Sequence, residues 1–223
     1  TTLLFLTQAS HKLIFFNQHI QGVFGLPLFL FMASTTIDTD TELSAVNSIL
    51  GAIGQSPVTT LGTSSVDNDV EAYDNPEVSF VYNILRDANV DIQNEGWHFN
   101  TERHVKYTPD SVTNEILIGS NILRLDVSKG WTHRQYDVIK RDGKLYDHTF
   151  DWSELDTDGI DLDVVYLVSF ENLPSAFQRY IVYRASRIAA TNLVSNPQLV
   201  SLLQQQENIA RANIEAHQNG DRN

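Results

Sequence analysis

Apolar side chains recur every three or four residues early in this chain, at Leu43, Val46, Leu50 and Ile53, the spacing of one helical face. Thr39 and Glu42 stand just ahead of that run, three positions apart, as in a capping box that satisfies free backbone donors at a helix start. Gly54 is placed to end the helix, and Pro57 forbids its continuation, so a short amphipathic helix is expected over 41–54. Residues 55–73 are rich in Ser, Thr, Asp and Gly and read as a long connection. A second stripe, Val78, Val81, Tyr82, Leu85, Ala88 and Ile92, predicts a helix from about Glu77, with Pro76 near its first turn and Gly96 closing it.

From Trp97 onward the period shortens. Val105 to Tyr107, Glu115 to Ile118 and Ile122 to Val127 have the look of short strands. Tyr136 to Lys140 and Lys144 to His148 flank Arg141-Asp142-Gly143, and an Asp-Gly pair between two such runs signals a hairpin, because both turn positions need positive φ. Residues 151–161 form an acidic loop, and the β-branched run Leu162 to Phe170 predicts one more strand. Trp97 and Phe99, just past a helix stop, are read as core anchors at the helix-to-sheet junction in preference to a binding face.

Two helices close the chain. Asn172-Leu173-Pro174 starts one, along which Phe177, Ile181, Ala185, Ile188 and Asn192 share a face. Asn196-Pro197 starts the other, lined by Leu199, Leu202, Leu203, Ile209, Ala210 and Ile214, with Glu207 and Arg211 spaced as an i,i+4 ion pair. Helices, then strands, then helices argue for the α+β class. The organisation expected is a bundle of about four helices, from residues 32–96 plus 171–218, with a small antiparallel sheet and hairpin inserted at 97–170 and a polar tail at 219–223.

Residues 1–31 break the pattern. They run apolar and aromatic, but Asn17, Gln18, His19, Gln21, Gly25 and Pro27 interrupt them before a span of ~20 residues, the length of a membrane helix, is reached. A signal peptide would use Lys12 as its basic region and Ala33-Ser34 near its cleavage site. The simpler reading takes Met32, the only methionine, as the start and residues 1–31 as an upstream extension outside the fold.

Charge narrows the function classes. With 15 Lys+Arg and 28 Asp+Glu the chain carries −13, whereas a protein that grips nucleic acid shows a basic footprint. Such a surface keeps a protein soluble and would let DNA slide past without sticking. Cysteine is absent, which excludes disulfides, a thiolate nucleophile and Cys-based zinc sites. No phosphate-binding glycine loop occurs, and Gly62-Thr63-Ser64-Ser65-Val66 lacks the second glycine of a nucleophile elbow. Glu154-x-Asp156-x-Asp158-Gly159 opens like a calcium loop, but its ninth and twelfth positions are Leu162 and Val165 where ligands are required. His98, His104, His133, His148 and His217 are scattered, without a ligand spacing. Acid pairs such as Glu102 with Asp110 would be needed by a polysaccharide hydrolase, the competing function class, but spacing in sequence does not set a carboxylate separation. No catalytic, cofactor or metal residue is assigned, and no cofactor is expected.

Three stretches together carry a family resemblance. Residues 42–61 read Glu-Leu-Ser-Ala-Val-Asn-Ser-Ile-Leu-Gly-Ala-Ile-Gly-Gln-Ser-Pro-Val-Thr-Thr-Leu, residues 95–100 read Glu-Gly-Trp-His-Phe-Asn, and residues 173–187 read Leu-Pro-Ser-Ala-Phe-Gln-Arg-Tyr-Ile-Val-Tyr-Arg-Ala-Ser-Arg. In this order and spacing the chain, over roughly residues 42–215, resembles the tail tubular protein A family of short-tailed phages, the podoviruses. The resemblance implies a structural virion protein and not an enzyme: a head-to-tail adaptor, most often a ring of twelve copies, between the portal protein and the tail nozzle of tubular protein B. It further implies that DNA passes through on ejection without specific binding, that assembly takes place in the host cytoplasm and that the protein does not insert stably in a membrane. The candidate interface residues come from the residues themselves. Arg179, Arg184 and Arg187 form a basic stretch with no acid between Pro174 and Ser195. Arg184 and Arg187 fall on one side of the helix, suited to carboxylates of a neighbouring subunit or the portal, while Arg179 lies round from Arg184.

A chain started at Met32 is expected to melt within about a degree of the full chain, because a terminal segment packed on nothing contributes little stability. A clear loss of cooperative unfolding on truncation, followed by circular dichroism, would place residues 1–31 against the core.

Overall fold

The computed structural model describes residues 41–64, 71–72, 75–128, 135–148, 158–194 and 196–220. Residues 1–31, most of the acidic loop at 151–161 and the tail beyond Gly220 lie outside the described residues. The fold is α+β: among the described residues, four helices bracket the larger strands in sequence.

Helix α1 (Glu42–Ala52) starts at Thr41, whose side chain accepts the Ser44 N–H at 3.2 Å. Thr39, the cap expected from the sequence, lies outside the described residues. The chain leaves α1 through Gly54 at φ +81, where a side chain would strain the backbone. Strands β1 (Thr63–Ser64) and β2 (Glu71–Ala72) pair antiparallel within the long connection. Helix α2 (Pro76–Asn94) is capped by Asn75, whose Oδ1 accepts the Glu77 N–H at 2.9 Å, with Pro76 in the first turn where no donor is missed.

After a 3-10 turn at His98–Asn100 come β3 (Thr101–Tyr107), β4 (Ile122–Val127), β5 (Val138–Arg141), β6 (Lys144–Asp147) and β7 (Ile160–Tyr166). Strand β7 lies between β3 and β4, antiparallel to both. Strands β5 and β6 form the hairpin expected from Asp-Gly: Asp142 at φ 52 and Gly143 at φ 74 make the turn between the paired Arg141 and Lys144. Glu115 to Ile118, expected as a strand, flanks the hairpin without forming a ladder; Leu117 makes one bridge to Lys144, and the Leu145 N–H donates to Ile116 at 2.8 Å. The run Leu162 to Phe170 leaves the sheet after Tyr166 and turns at Phe170–Asn172, which sends Phe170 into the helical core.

Helix α3 (Ser175–Leu193) packs on α1, α2 and α4 (Pro197–Gly220). Ala185, Ala189 and Ala190 on its buried side allow close approach, while Phe177, Tyr180 and Ile181 fill the remaining volume. Asn192, expected on this face, is exposed instead, while Ala189 and Ala190 beside it are buried. Asn196 caps α4, its Oδ1 accepting the N–H groups of Gln198 and Leu199. Leu203, Ala210 and Ile214 face inward from α4.

Two apolar clusters result. One fills the space among the four helices. In the other, Ile160, Leu162 and Val164 of β7 meet Ile116, Ile118, Ile122, Val138 and Leu145. The end of α2 joins the sheet through two buried amides. Gln93 donates to Asn89 Oδ1 and to the Val168 carbonyl, and its Oε1 accepts the Val168 N–H, each at 2.8 Å. Asn100 donates to the carbonyls of Gln93 and Tyr166 at 2.9 Å and accepts the Trp97 N–H at 2.8 Å. Trp97 is the buried anchor the sequence implied: its Nε1 donates to Ile92 at 2.7 Å and its ring meets Phe177 edge-on at 4.9 Å.

Asn100→Ala is expected to lower stability by about 2–4 kcal/mol, because it orphans a buried N–H and two carbonyls without creating apolar contacts. Urea unfolding checks this; a loss under ~1 kcal/mol would mean that water takes over those groups.

Candidate subunit interface

Positions 202, 205, 209, 212 and 216 of α4 alternate in steps of three and four, the repeat of a helix seam. They hold Leu202, Gln205, Ile209, Ala212 and Ala216, all exposed, with Leu202 at 53% and Ile209 at 64%. Leu202 and Ile209 are expected from their spacing among the residues lining the bundle. The structure corrects this: α4 carries two stripes, Leu203, Glu207, Ala210 and Ile214 inward, and a second, uncharged stripe outward. Helix α2 repeats the device more weakly, with Phe80, Asn83, Asp87, Val90 and Asn94 exposed on the same three-four repeat, Phe80 at 40% and Val90 at 38%. Both seams run the same number of residues, a length of about 21 Å at 1.5 Å per residue.

The three candidate arginines separate. Arg187 Nε donates to Glu207 Oε2 of α4, and its Nη2 reaches Oε1 at 3.5 Å; Glu207 is buried. Arg184 faces Asp91 of α2 at 3.6 Å, with its Nε buried and lacking a hydrogen-bond partner. Thus Arg184 and Arg187, which the sequence assigned to a neighbouring subunit, face acids of their own bundle. Arg179 is exposed and, among the described residues, makes no ion pair.

Arg211 has other partners than the one its spacing implies. Glu207 points to α3, so the expected Glu207–Arg211 pair does not form. Arg211 instead binds both oxygens of Glu95, at 3.0 and 2.7 Å, and Glu215 at 2.7 Å. Its guanidinium lies 5.0 Å from the Trp97 ring centre and 5.7 Å from that of Tyr180. Burial disfavours its charge, but the bonds to Glu215 and Glu95 outweigh that and push its pKa up. The spacing of Arg211 to Glu215 was the available signal; Glu95, far away in sequence, left none.

Ser128, His104 and Asp163 come together, the residue types of a hydrolytic triad, in the wrong arrangement. The Ser128 hydroxyl donates to Asp163, which also accepts the His104 backbone N–H at 3.1 Å. With its hydroxyl donating to a carboxylate and, among the described residues, no imidazole bonded to it, Ser128 is not arranged as an activated nucleophile. Burial raises the Asp163 pKa, but these two bonds overcome it and hold the group below the usual carboxylate range. Asp110 is likewise lowered, by the N–H groups of Thr113 and Val112 in its own turn, the opposite of what a general acid needs. Glu102 lies instead beside Tyr166, whose pKa is raised by burial and by bonding with Tyr107 and Glu102. Of the calcium-like stretch, Glu154 and Asp156 lie outside the described residues, as does His133.

A family model described as tail tubular protein matches residues 43–223, which takes in every described strand and all but the first residue of the four helices. No curated protein matches the chain.

Arg187→Glu is expected to lower stability by about 2–4 kcal/mol, because it leaves buried Glu207 facing a like charge. Arg179→Glu, a change at an exposed side chain that makes no ion pair among the described residues, should stay within about 0.5 kcal/mol of the native chain. Equal melting temperatures for the two variants would show that the Arg187–Glu207 pair adds nothing to the fold.

Proposed function

Because the chain belongs to the tail tubular protein family, the structural proteins of phage tails, we propose that it assembles into a closed ring joining the portal protein to the tail nozzle of a short-tailed phage. Twelve copies form the ring, tubular protein B continues it on the tail side, and DNA passes through on ejection. Assembly takes place in the host cytoplasm. The helical bundle faces the portal and the inserted β-rich part, residues 97–170, contributes to the tail side. The observation that carries this reading is the uncharged outward seam of α4, centred on Leu202 and Ile209. A chain of net charge −13 has ample means to solvate a surface helix, and an uncharged stripe carrying exposed Leu202 and Ile209 outside a filled core suits a partner.

A ring needs two different surfaces on each subunit, since a head-to-tail contact joins one patch to another. The seams of α2 and α4 are two such surfaces, equal in length and on different helices. Arg184, Arg187 and Arg179 are the candidates for charged contacts at a subunit or portal boundary; the first two also face Asp91 and Glu207 of their own bundle. The acidic balance suits a conduit, as it disfavours the phosphate contacts that would hold DNA. Among the described residues no helix is long and apolar enough to cross a membrane.

Native mass spectrometry of the protein mixed with its portal should report a closed assembly, most often of twelve copies. Leu202→Glu with Ile209→Glu should abolish that assembly and leave the circular dichroism of the subunit unchanged, since both side chains are exposed. A dimer or a trimer on the portal, or normal assembly by the double variant, would sink the reading.

A further inference from the structure

The three-stranded sheet has a second face, opposite the Ile160, Leu162 and Val164 core. Residues directly opposed across strands share a face, so Thr101, Val165 and Arg124 stand in one row across β3, β7 and β4, and Asp163 and Asp126 in another. Where the first row meets the end of α2 there is a cleft of about 740 Å³ lined by Gly96, Trp97, His98, Thr101, Arg103 and Gln218, none of them acidic. Arg124 reaches over Val165 to its rim: a Cβ added at Gly96 would lie 2.8 Å from Arg124 Nη2, 3.3 Å from Val165 and 3.5 Å from Thr101 Oγ1. Gly96 is therefore required twice, by its φ of +80 and by the guanidinium above it.

Most other cations among the described residues have partners, Lys106 and Arg179 excepted. Arg184, Arg187, Arg211 and Lys144 meet acids, Arg86 and Arg141 lie over tyrosine rings, and Lys140 binds three carbonyls. Among the described residues, the guanidinium groups of Arg103 and Arg124 make neither a hydrogen bond nor an ion pair, and the buried Thr101 Oγ1 has no partner. The nearby acids are engaged elsewhere. Glu95 is held by Arg211, and Asp163, which feels the Arg103 charge, accepts from Ser128 and the His104 N–H.

We propose that this cleft binds carboxylate side chains of an acidic segment of a partner protein, with Arg103 and Arg124 presenting guanidinium forks and Thr101 a hydroxyl donor. Guanidinium geometry matches a carboxylate in two parallel bonds. A duplex is the wrong occupant: its continuous row of phosphates would run over Asp126 and Asp163 on the same sheet face, whereas a short acidic segment places a few carboxylates over the arginine end alone. The site is separate from the helix seams, so its failure and that of the ring are distinguishable.

Fluorescence anisotropy of a labelled octaglutamate peptide with the full chain at low salt tests this. We expect a dissociation constant on the order of 10–100 μM, weakening as salt rises. Arg103→Gln with Arg124→Gln should weaken binding at least about tenfold, and Thr101→Val about threefold, with circular dichroism unchanged. Arg103→Gln alone, at an exposed edge position, serves if the double variant does not fold. Absence of binding by the native chain, unaltered affinity in the arginine variants, or a labelled duplex bound as tightly as the peptide would each overturn the assignment.

Discussion

Two buried amides tie the halves of this fold together. Gln93 at the end of α2 and Asn100 before β3 are 0% and 2% exposed, and each uses both donors of its NH₂ and its carbonyl oxygen. An unsatisfied polar group at such depth costs about 1–3 kcal/mol, so the arrangement is stable only when every partner is in place. Those partners are backbone groups at the exit of β7 and at the end of α2, along with Asn89. Helix end, turn and strand exit are thus set in one geometry, and Trp97, held between Ile92 and Phe177, fills the apolar side of the same joint. An apolar contact could slide at this place; a fully matched hydrogen-bond set cannot.

Around that joint the bundle consumes its own charge. Arg187 pins α4 to α3, Arg184 faces α2, and Arg211 ties α4 to Glu95 while lying over Trp97 and Tyr180. In an acidic chain the cations are few, and most of the described ones have internal partners. The large apolar side chains left exposed on these helices are Phe80 and Val90 of α2 and Leu202 and Ile209 of α4. The wrongly poised Ser128 hydroxyl and the lowered Asp110 and Asp163 point the same way, since these groups stabilise turns and strand ends and none is prepared for proton transfer.

The sheet is guarded where the helices are open. Strands β3 and β4 are its two edges, and an unprotected edge invites pairing with another chain. In β3 the register shifts between Glu102 and Val105, with His104 at φ 56 and its N–H turned back to Asp163. Such a bulge interrupts the edge and leaves it a poor template. The β3 edge is thus interrupted, while large apolar side chains stay exposed on α2 and α4.

Local sequence determined the elements themselves. Periodicity, Pro76, Asn196-Pro197 and the Asp142-Gly143 turn each act within a few residues, so four helices, a hairpin and the α+β order could be read without a structure, as could Trp97 as the junction anchor. Glu115 to Ile118 extends beside β6 as expected but forms a single bridge there, because the tendency to extend does not say how far a neighbouring strand continues alongside. The tertiary structure alone decided which stripe of α4 is covered, since Leu202 and Leu203 are alike in type and differ only in what stands opposite them. It alone chose Glu207 for Arg187 and Glu95 for Arg211, because an ion pair depends on distance in space, and the nearest acid along the chain is seldom the nearest in the fold. Gln93 and Asn100 were silent for the same reason: a polar residue in sequence is read as surface until the packing of other segments buries it and supplies its hydrogen bonds.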